Sequence, residues 1–273
     1  MSTMSVNIIT PFSGDSVNLN GIQSLCRDGN LKLSADAAAY NGFGGQDNII
    51  IGKFNAYPSG NDNVVIGKAA ANQITTGASN VLIGAGAGQG LQDASQNVYI
   101  GNQAGAGVNG SLNTFIGSFS GSGGSPSTSV NNTCIGNGAV MSSPSASYEI
   151  TLGGNITTAL RCAATTITSL SDARDKKDIK DLSAGLSFVK TLKPVEFVWN
   201  DRDENGRRDI KDFGFIAQDL KASQEEIGLA ETLKLVYESN PDKLEASYGK
   251  LVPILVKAIQ ELTAKVEELE KNK

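Results

Sequence analysis

Histidine is absent from all 273 residues. A Ser-His-Asp triad, a Cys-His pair or a histidine-ligated metal site therefore cannot be built within the chain, and any proton transfer must use lysine or carboxylates. Cysteine is scarce: Cys26, Cys134 and Cys162 are odd in number, far apart and without C-x-x-C spacing. That excludes a disulfide framework and a zinc site and predicts reduced, buried or semi-buried thiols. No apolar run approaches membrane-spanning length, and residues 1–20 hold no basic segment followed by an apolar core. The expectation is a protein made and soluble in the cytoplasm, with no membrane insertion. A net charge of −5 without a basic block gives no electrostatic footprint for nucleic acid or anionic lipid. No cofactor is expected.

Charge is also missing from most of the chain. Only 5 of the 23 Lys and Arg residues and 7 of the 28 Asp and Glu residues precede Ser171. Two physical objects are joined there: a glycine-rich, nearly uncharged array and a charged, heterogeneous segment. The expected organisation is an N-terminal attachment segment (1–29), a repetitive β-solenoid (30–170) and an α+β domain (171–273) ending in a helix from about residue 247.

The array has a five-residue core, Asn followed by three mainly apolar or β-favouring residues and Gly. Copies begin at Asn48, Asn63, Asn80, Asn97, Asn113 and Asn132, with a degenerate last copy at Glu149-Ile150-Thr151-Leu152-Gly153. Successive starts are separated by 15, 17, 17, 16, 19 and 17 residues, and Asn30-Leu31-Lys32-Leu33 is an earlier, imperfect copy. Each copy reads as a short strand, and the following glycines and alanines permit tight turns or close backbone approach. One such strand cannot bury its face alone, whereas stacked coils can. Coils this thin and poor in aromatics would still expose apolar surface, so an elongated homotrimer is expected. Gly84 to Gly90 lacks the Gly-Lys-Ser/Thr ending of a phosphate loop, and its glycines read as turns. The N-x-x-I-G-x-x-A-G rhythm over residues 30–154 resembles the β-roll heads of trimeric autotransporter adhesins and the shafts of phage tail fibres.

After Ser171 the pattern is mixed. Residues 182–192 have the apolar spacing of a short helix closed by Lys193-Pro194, Val195 to Trp199 alternate as a strand, and Asp212 to Ala217 form a partner strand leading into a helix at Gln218. At the end of the chain Val252, Leu255, Ile259, Leu262, Val266 and Leu269 recur at spacings of 3, 4, 3, 4 and 3, the seam of a coiled coil. Such a helix is marginal alone. It is stabilised either by pairing with copies of itself or by packing on its own domain, and three-fold pairing would match the array.

Four blocks in this region resemble the C-terminal intramolecular chaperone of phage endosialidases and tail fibres, the peptidase S74 family. They are Ser171-Asp172-Ala173-Arg174-Asp175-Lys176-Lys177-Asp178-Ile179; Leu192-Lys193-Pro194-Val195 with Phe197 and Trp199; Gly214-Phe215-Ile216-Ala217-Gln218-Asp219-Leu220; and Tyr248-Gly249-Lys250-Leu251-Val252-Pro253. The chain departs from the family pattern at Asp175, where an apolar residue usually precedes the lysine. The resemblance implies a domain that trimerises, templates a fibre and releases itself by a cut between Leu170 and Ser171, with Ser171 as nucleophile and Lys176 as general base. The chemistry agrees, since serine needs a base, histidine is absent, and a desolvated lysine can lose its proton near neutral pH. From the residues alone Lys177 is an equal rival; the family spacing favours Lys176.

Asp201, Asp203, Asn205, Asp209 and Asp212 match the oxygen-ligand spacing of an EF-hand-type calcium loop. Against that, the flanks read as strands, the last ligand is Asp where Glu usually binds through two oxygens, and Asn205-Gly206 is also a hairpin turn. The whole chain reads as a phage tail-fibre protein located in the virion tail. Its N-terminus would bind a tail or baseplate protein, and its array a host-surface glycan or protein. A bacterial trimeric surface adhesin, or a fibre with a permanent, uncleaved C-terminal clamp, are the other readings. The scattered acidic residues of the array offer no carboxylate pair for glycan hydrolysis.

Overall fold

The computed structural model describes residues 26–27, 30–33, 45–52, 59–122, 127–163, 167–200, 202 and 208–273. The chain divides into two compact units, residues 1–128 and 129–273, so the charge step at Ser171 lies inside the second. Most of the expected attachment segment falls outside the described residues, as does the side chain of Cys26.

In the first unit each repeat forms one short strand. β1 (Cys26–Arg27) pairs antiparallel with β2 (Asn30–Leu33). From β2 the sheet runs in parallel register through β3 (Ile49–Ile51), β4 (Val64–Ile66), β5 (Val81–Ile83), β6 (Val98–Ile100) and β7 (Thr114–Ile116). The array is a β-solenoid. Side chains alternate about the strand. The middle residues Ile50, Val65, Leu82, Tyr99 and Phe115 stack in the interior. Tyr99 and Phe115 lie nearly parallel with ring centroids 4.9 Å apart. The recurring isoleucine before each glycine therefore faces outward, with Ile51, Ile66, Ile83 and Ile100 half-buried and Ile116 exposed.

That glycine is required by both conformation and space. Gly84 has φ +133°, and a Cβ there would lie 2.3 Å from the carbonyl oxygen of Gly101 on the next coil. Gly105, at φ +64°, leaves room for the Tyr99 ring, which a Cβ would approach to 2.4 Å.

From Asn48 to Asn113, the asparagine that starts each copy is fully buried and hydrogen-bonded to its counterparts. Asn48 Oδ1 accepts from the backbone N and Nδ2 of Asn63 at 2.9 and 3.0 Å. Asn63 Oδ1 accepts likewise from Asn80 at 3.1 and 3.0 Å, and Asn80 Oδ1 from Asn97 at 3.0 and 3.1 Å. Asn97 Oδ1 accepts from Asn113 at 2.9 and 3.3 Å. The second Nδ2 hydrogen of Asn48, Asn63 and Asn80 goes to the carbonyl of Gly60, Gly77 or Ala94. A primary amide is the side chain that can accept from one coil while donating twice elsewhere, which explains its recurrence at a buried site.

The second unit opens with two more coils. β8 (Thr133–Ile135) and β9 (Ile150–Leu152) pair in parallel, with Cys134 buried between turns. Burial pushes the Cys134 thiol up to about 11, and the nearby Glu149 charge adds to this while a hydrogen bond with Thr151 opposes it. Cys162 is exposed, contrary to the expectation of buried or semi-buried thiols. Residues 155–163 and 167–181 are exposed.

The chain then folds into a small α/β region. α1 (Leu186–Val189) is shorter than the sequence pattern suggests; β10 (Pro194–Val198) and β11 (Lys211–Phe215) form an antiparallel hairpin leading into α2 (Ala217–Glu226). After α3 (Ala230–Leu233), β12 (Val236–Tyr237) pairs with β13 (Glu245–Ala246), and α4 (Leu251–Lys271) closes the chain. The core is Ala184, Phe188, Leu233, Leu235, Leu251 and Ile254. Glu261 on α4 caps α1, its Oε2 accepting from Leu186 N at 2.8 Å.

α4 has two apolar faces. Leu251, Ile254 and Ala258 are buried, whereas the seam residues Val252, Leu255, Ile259, Leu262, Val266 and Leu269 remain 43–66% exposed. The seam is thus not the face that packs on the helix's own domain. No described helix is long and apolar enough to cross a membrane.

Candidate active site

Between β9 and α1 a single turn of 3₁₀ helix (Ala173–Asp175) interrupts the exposed stretch. Asp172 caps it, its carboxylate accepting from Arg174 N at 2.8 Å, as short polar side chains do at helix starts. The Arg174 guanidinium folds back on the same carboxylate, Nε at 3.1 Å from Oδ1 and Nη2 at 2.6 Å from Oδ2. This pairing holds the Asp172 carboxyl below its ordinary value, through hydrogen bonds from the Arg174 side chain and then its backbone. The turn closes with Asp175 N donating to Asp172 O and Lys176 N to Ala173 O.

That closure reverses the chain enough for Lys176 to reach back five residues. Lys176 Nζ lies 2.6 Å from Ser171 Oγ and 3.2 Å from the Ser171 carbonyl oxygen. Among the described residues Lys177 makes no hydrogen bond to Ser171. Ser171, Lys176 and Leu170 are all exposed, Leu170 at 97%. The Ser171–Lys176 contact is therefore made by the local backbone alone. A hydroxyl within hydrogen-bond reach of an amine is the minimum requirement for a Ser-Lys pair.

Residues 171–229 match the Peptidase S74 family, chaperone of endosialidase. The match begins at the nucleophile candidate and runs through the dyad turn, α1, the β10–β11 hairpin and α2. It supports a role in trimerisation and autoprocessing for this part of the chain. No curated protein and no solved structure matches the chain.

Two blocks of the chaperone segment that look separate in sequence meet in space. Tyr248 Oη accepts from Phe215 N at 3.0 Å and donates to Phe215 O at 3.3 Å, and the two rings meet edge to face. A Cβ on Gly214 would lie 2.6 Å from Tyr248 Oη, so the glycine makes room for the clamp. Beside it an apolar groove is lined by Val195, Phe213, Phe215, Tyr248, Val252 and Leu255, continuous with the α4 seam.

Of the five calcium-loop candidates, Asp201, Asp203 and Asn205 lie outside the described residues. Asp209 has a positive φ and donates its backbone N to Trp199 O. Asp212 accepts from Trp199 Nε1 at 3.1 Å and Phe213 N at 2.8 Å. Sequence reasoning did not single out Asp172 or Arg174 as the pair that shapes the dyad turn. A short acidic residue one position before a helical turn was the available signal.

Proposed function

We propose that this chain is a trimeric phage tail-fibre protein whose C-terminal domain drives trimerisation and folding and then cuts itself off between Leu170 and Ser171. The observation that carries this is the 2.6 Å contact between Lys176 Nζ and Ser171 Oγ in a segment matching the chaperone family. In the reaction, unprotonated Lys176 takes the hydroxyl proton as Ser171 Oγ bonds to the Leu170 carbonyl carbon. Collapse of the tetrahedral intermediate breaks the Leu170–Ser171 C–N bond, and the proton passes from Nζ to the departing Ser171 nitrogen. The resulting ester joins Leu170 to Ser171 Oγ; water hydrolyses it, leaving the Leu170 carboxylate and a free serine hydroxyl.

Assembly is what arms the base. In a single chain Lys176 faces water, and desolvation is the influence that favours the neutral amine. The uncovered α4 seam and the groove beside it supply an apolar surface for neighbouring copies, each buried aliphatic side chain contributing about 1–3 kcal/mol. The outward isoleucine column of the solenoid offers a second such surface. Exposed turns of the array are the surface for host glycan or protein, and the N-terminal segment attaches to the tail.

Intact mass of freshly expressed wild type beside Ser171→Ala, with native mass to count chains, tests the reading. Fragments 1–170 and 171–273 from wild type and an uncut trimer from the variant are expected. An uncut wild-type trimer makes the domain a permanent clamp, and an intact monomer removes the proposal.

A further inference from the structure

The last repeat departs from the others at one atom-level detail. Where six copies start with asparagine, it starts with Glu149. Its backbone N still donates to Asn132 Oδ1 at 2.9 Å. A carboxylate has no N–H to pass on, so Glu149 cannot make the carbonyl bond that Asn132 Nδ2 makes to Ala146 O. Its side chain turns instead to Ser142, accepting from Ser142 Oγ at 2.5 Å and Ser142 N at 2.9 Å. Burial pushes the Glu149 carboxyl up, but the hydrogen bonds from Ser142 and Tyr237 outweigh it and hold the group below its ordinary value.

The remaining donors come from the C-terminal domain. Tyr237 on β12 donates its hydroxyl to Glu149 Oε1. In the loop after β12, Asn240 donates Nδ2 to the Ser142 carbonyl at 3.0 Å. Two residues of the final coil are thus held by two residues of the β12–β13 hairpin, across 88 and 98 positions of sequence. The Leu170–Ser171 bond lies between the two sides of this contact, so cutting it leaves the contact intact.

We propose that Glu149, presented with Ser142 at the end of the array, is the handle by which the C-terminal hairpin, through Tyr237 and Asn240, recognises and retains the last coil of its client. The proposal deepens the reading of this domain as a chaperone. The partner chemistry is specific: an ionised acceptor replaces an amide in the final coil, and a phenol supplies the donor. Tyr237 is 42% exposed, so water competes for these bonds and the grip is reversible once the covalent link is gone.

Dissociation of the C-terminal fragment from the array, followed by size exclusion and native mass, tests this in full-length wild type, Tyr237→Phe, Asn240→Ala and Glu149→Asn. The break is made by self-cleavage or, in a Ser171→Ala background, by brief tryptic nicking at exposed Arg161 or Arg174, so a chain that fails to cut itself still yields an answer. Release about fivefold faster in Tyr237→Phe and Glu149→Asn, with thermal unfolding of the array unchanged, is the expected result. Release of the nicked Tyr237→Phe fragment at the wild-type rate overturns the handle, whatever the state of the dyad.

Discussion

Asp172 shapes the turn that carries the proposed dyad without itself bonding to Ser171 Oγ or Lys176 Nζ. Its cap and its pairing with Arg174 set the turn that returns Lys176 to Ser171. Asp172→Ala is expected to slow self-cleavage about tenfold by loosening this placement, Asp172→Asn to recover much of it through the retained cap, and Lys177→Ala to leave the rate within about twofold. Cleavage time courses by denaturing electrophoresis check all three. Because the Asp172 carboxyl is depressed, its contribution to the turn is fully present above the ordinary value of 3.8 and lost as pH falls through the lower folded value. A pH dependence of cleavage near neutrality therefore belongs to another group. At this scale the sequence was informative where chemistry is local. Ser171 and Lys176 are five positions apart and meet on one turn, whereas Glu149 and Tyr237 meet across 88 positions with no periodic signal to announce it.

The strands were legible because repetition multiplies a weak signal: a three-residue strand is unreadable once and plain when it recurs at 15–19 residue intervals. Their orientation was less so. An apolar triplet does not say which residue points inward, and the buried column is the variable middle position while the recurring isoleucine faces out. The Asn ladder was hidden for a related reason, since asparagine just before a strand reads equally as a turn residue. Asn80→Ala would leave Asn97 N and the Ala94 carbonyl without their buried partner, destabilising the array by about 3 kcal/mol, measured as a shift in denaturant midpoint. In α4 the residues at heptad spacing are exposed, and the structure separates them from the buried, domain-facing Leu251, Ile254 and Ala258. Ile259→Asp with Leu262→Asp is expected to abolish trimers in native mass with the domain still folded; Ile254→Ala lowers domain stability by about 2–4 kcal/mol.

At the scale of the whole molecule, the proposed reaction divides between local geometry and assembly. The dyad turn is complete within one chain, while the apolar surfaces that would desolvate it are not. Self-cleavage should therefore depend on concentration: serial dilution during refolding is expected to lengthen the lag before the 171–273 fragment appears, and a lag independent of concentration would mean that a single chain arms its own lysine. Among the described residues, the fold assigns binding roles to no turn of the array, and the spacing of the repeats is uninformative there because turns differ in composition rather than in pattern.

The asparagine ladder also has a direction. From Asn48 to Asn97, each Oδ1 accepts a backbone N–H and an Nδ2 from the following coil. A growing array thus ends in an amide whose ladder bonds the next repeat completes, and the ribosome delivers repeats in that order. Glu149 stops this relay with a group that only accepts, at the point where synthesis is about to deliver the domain that carries Tyr237.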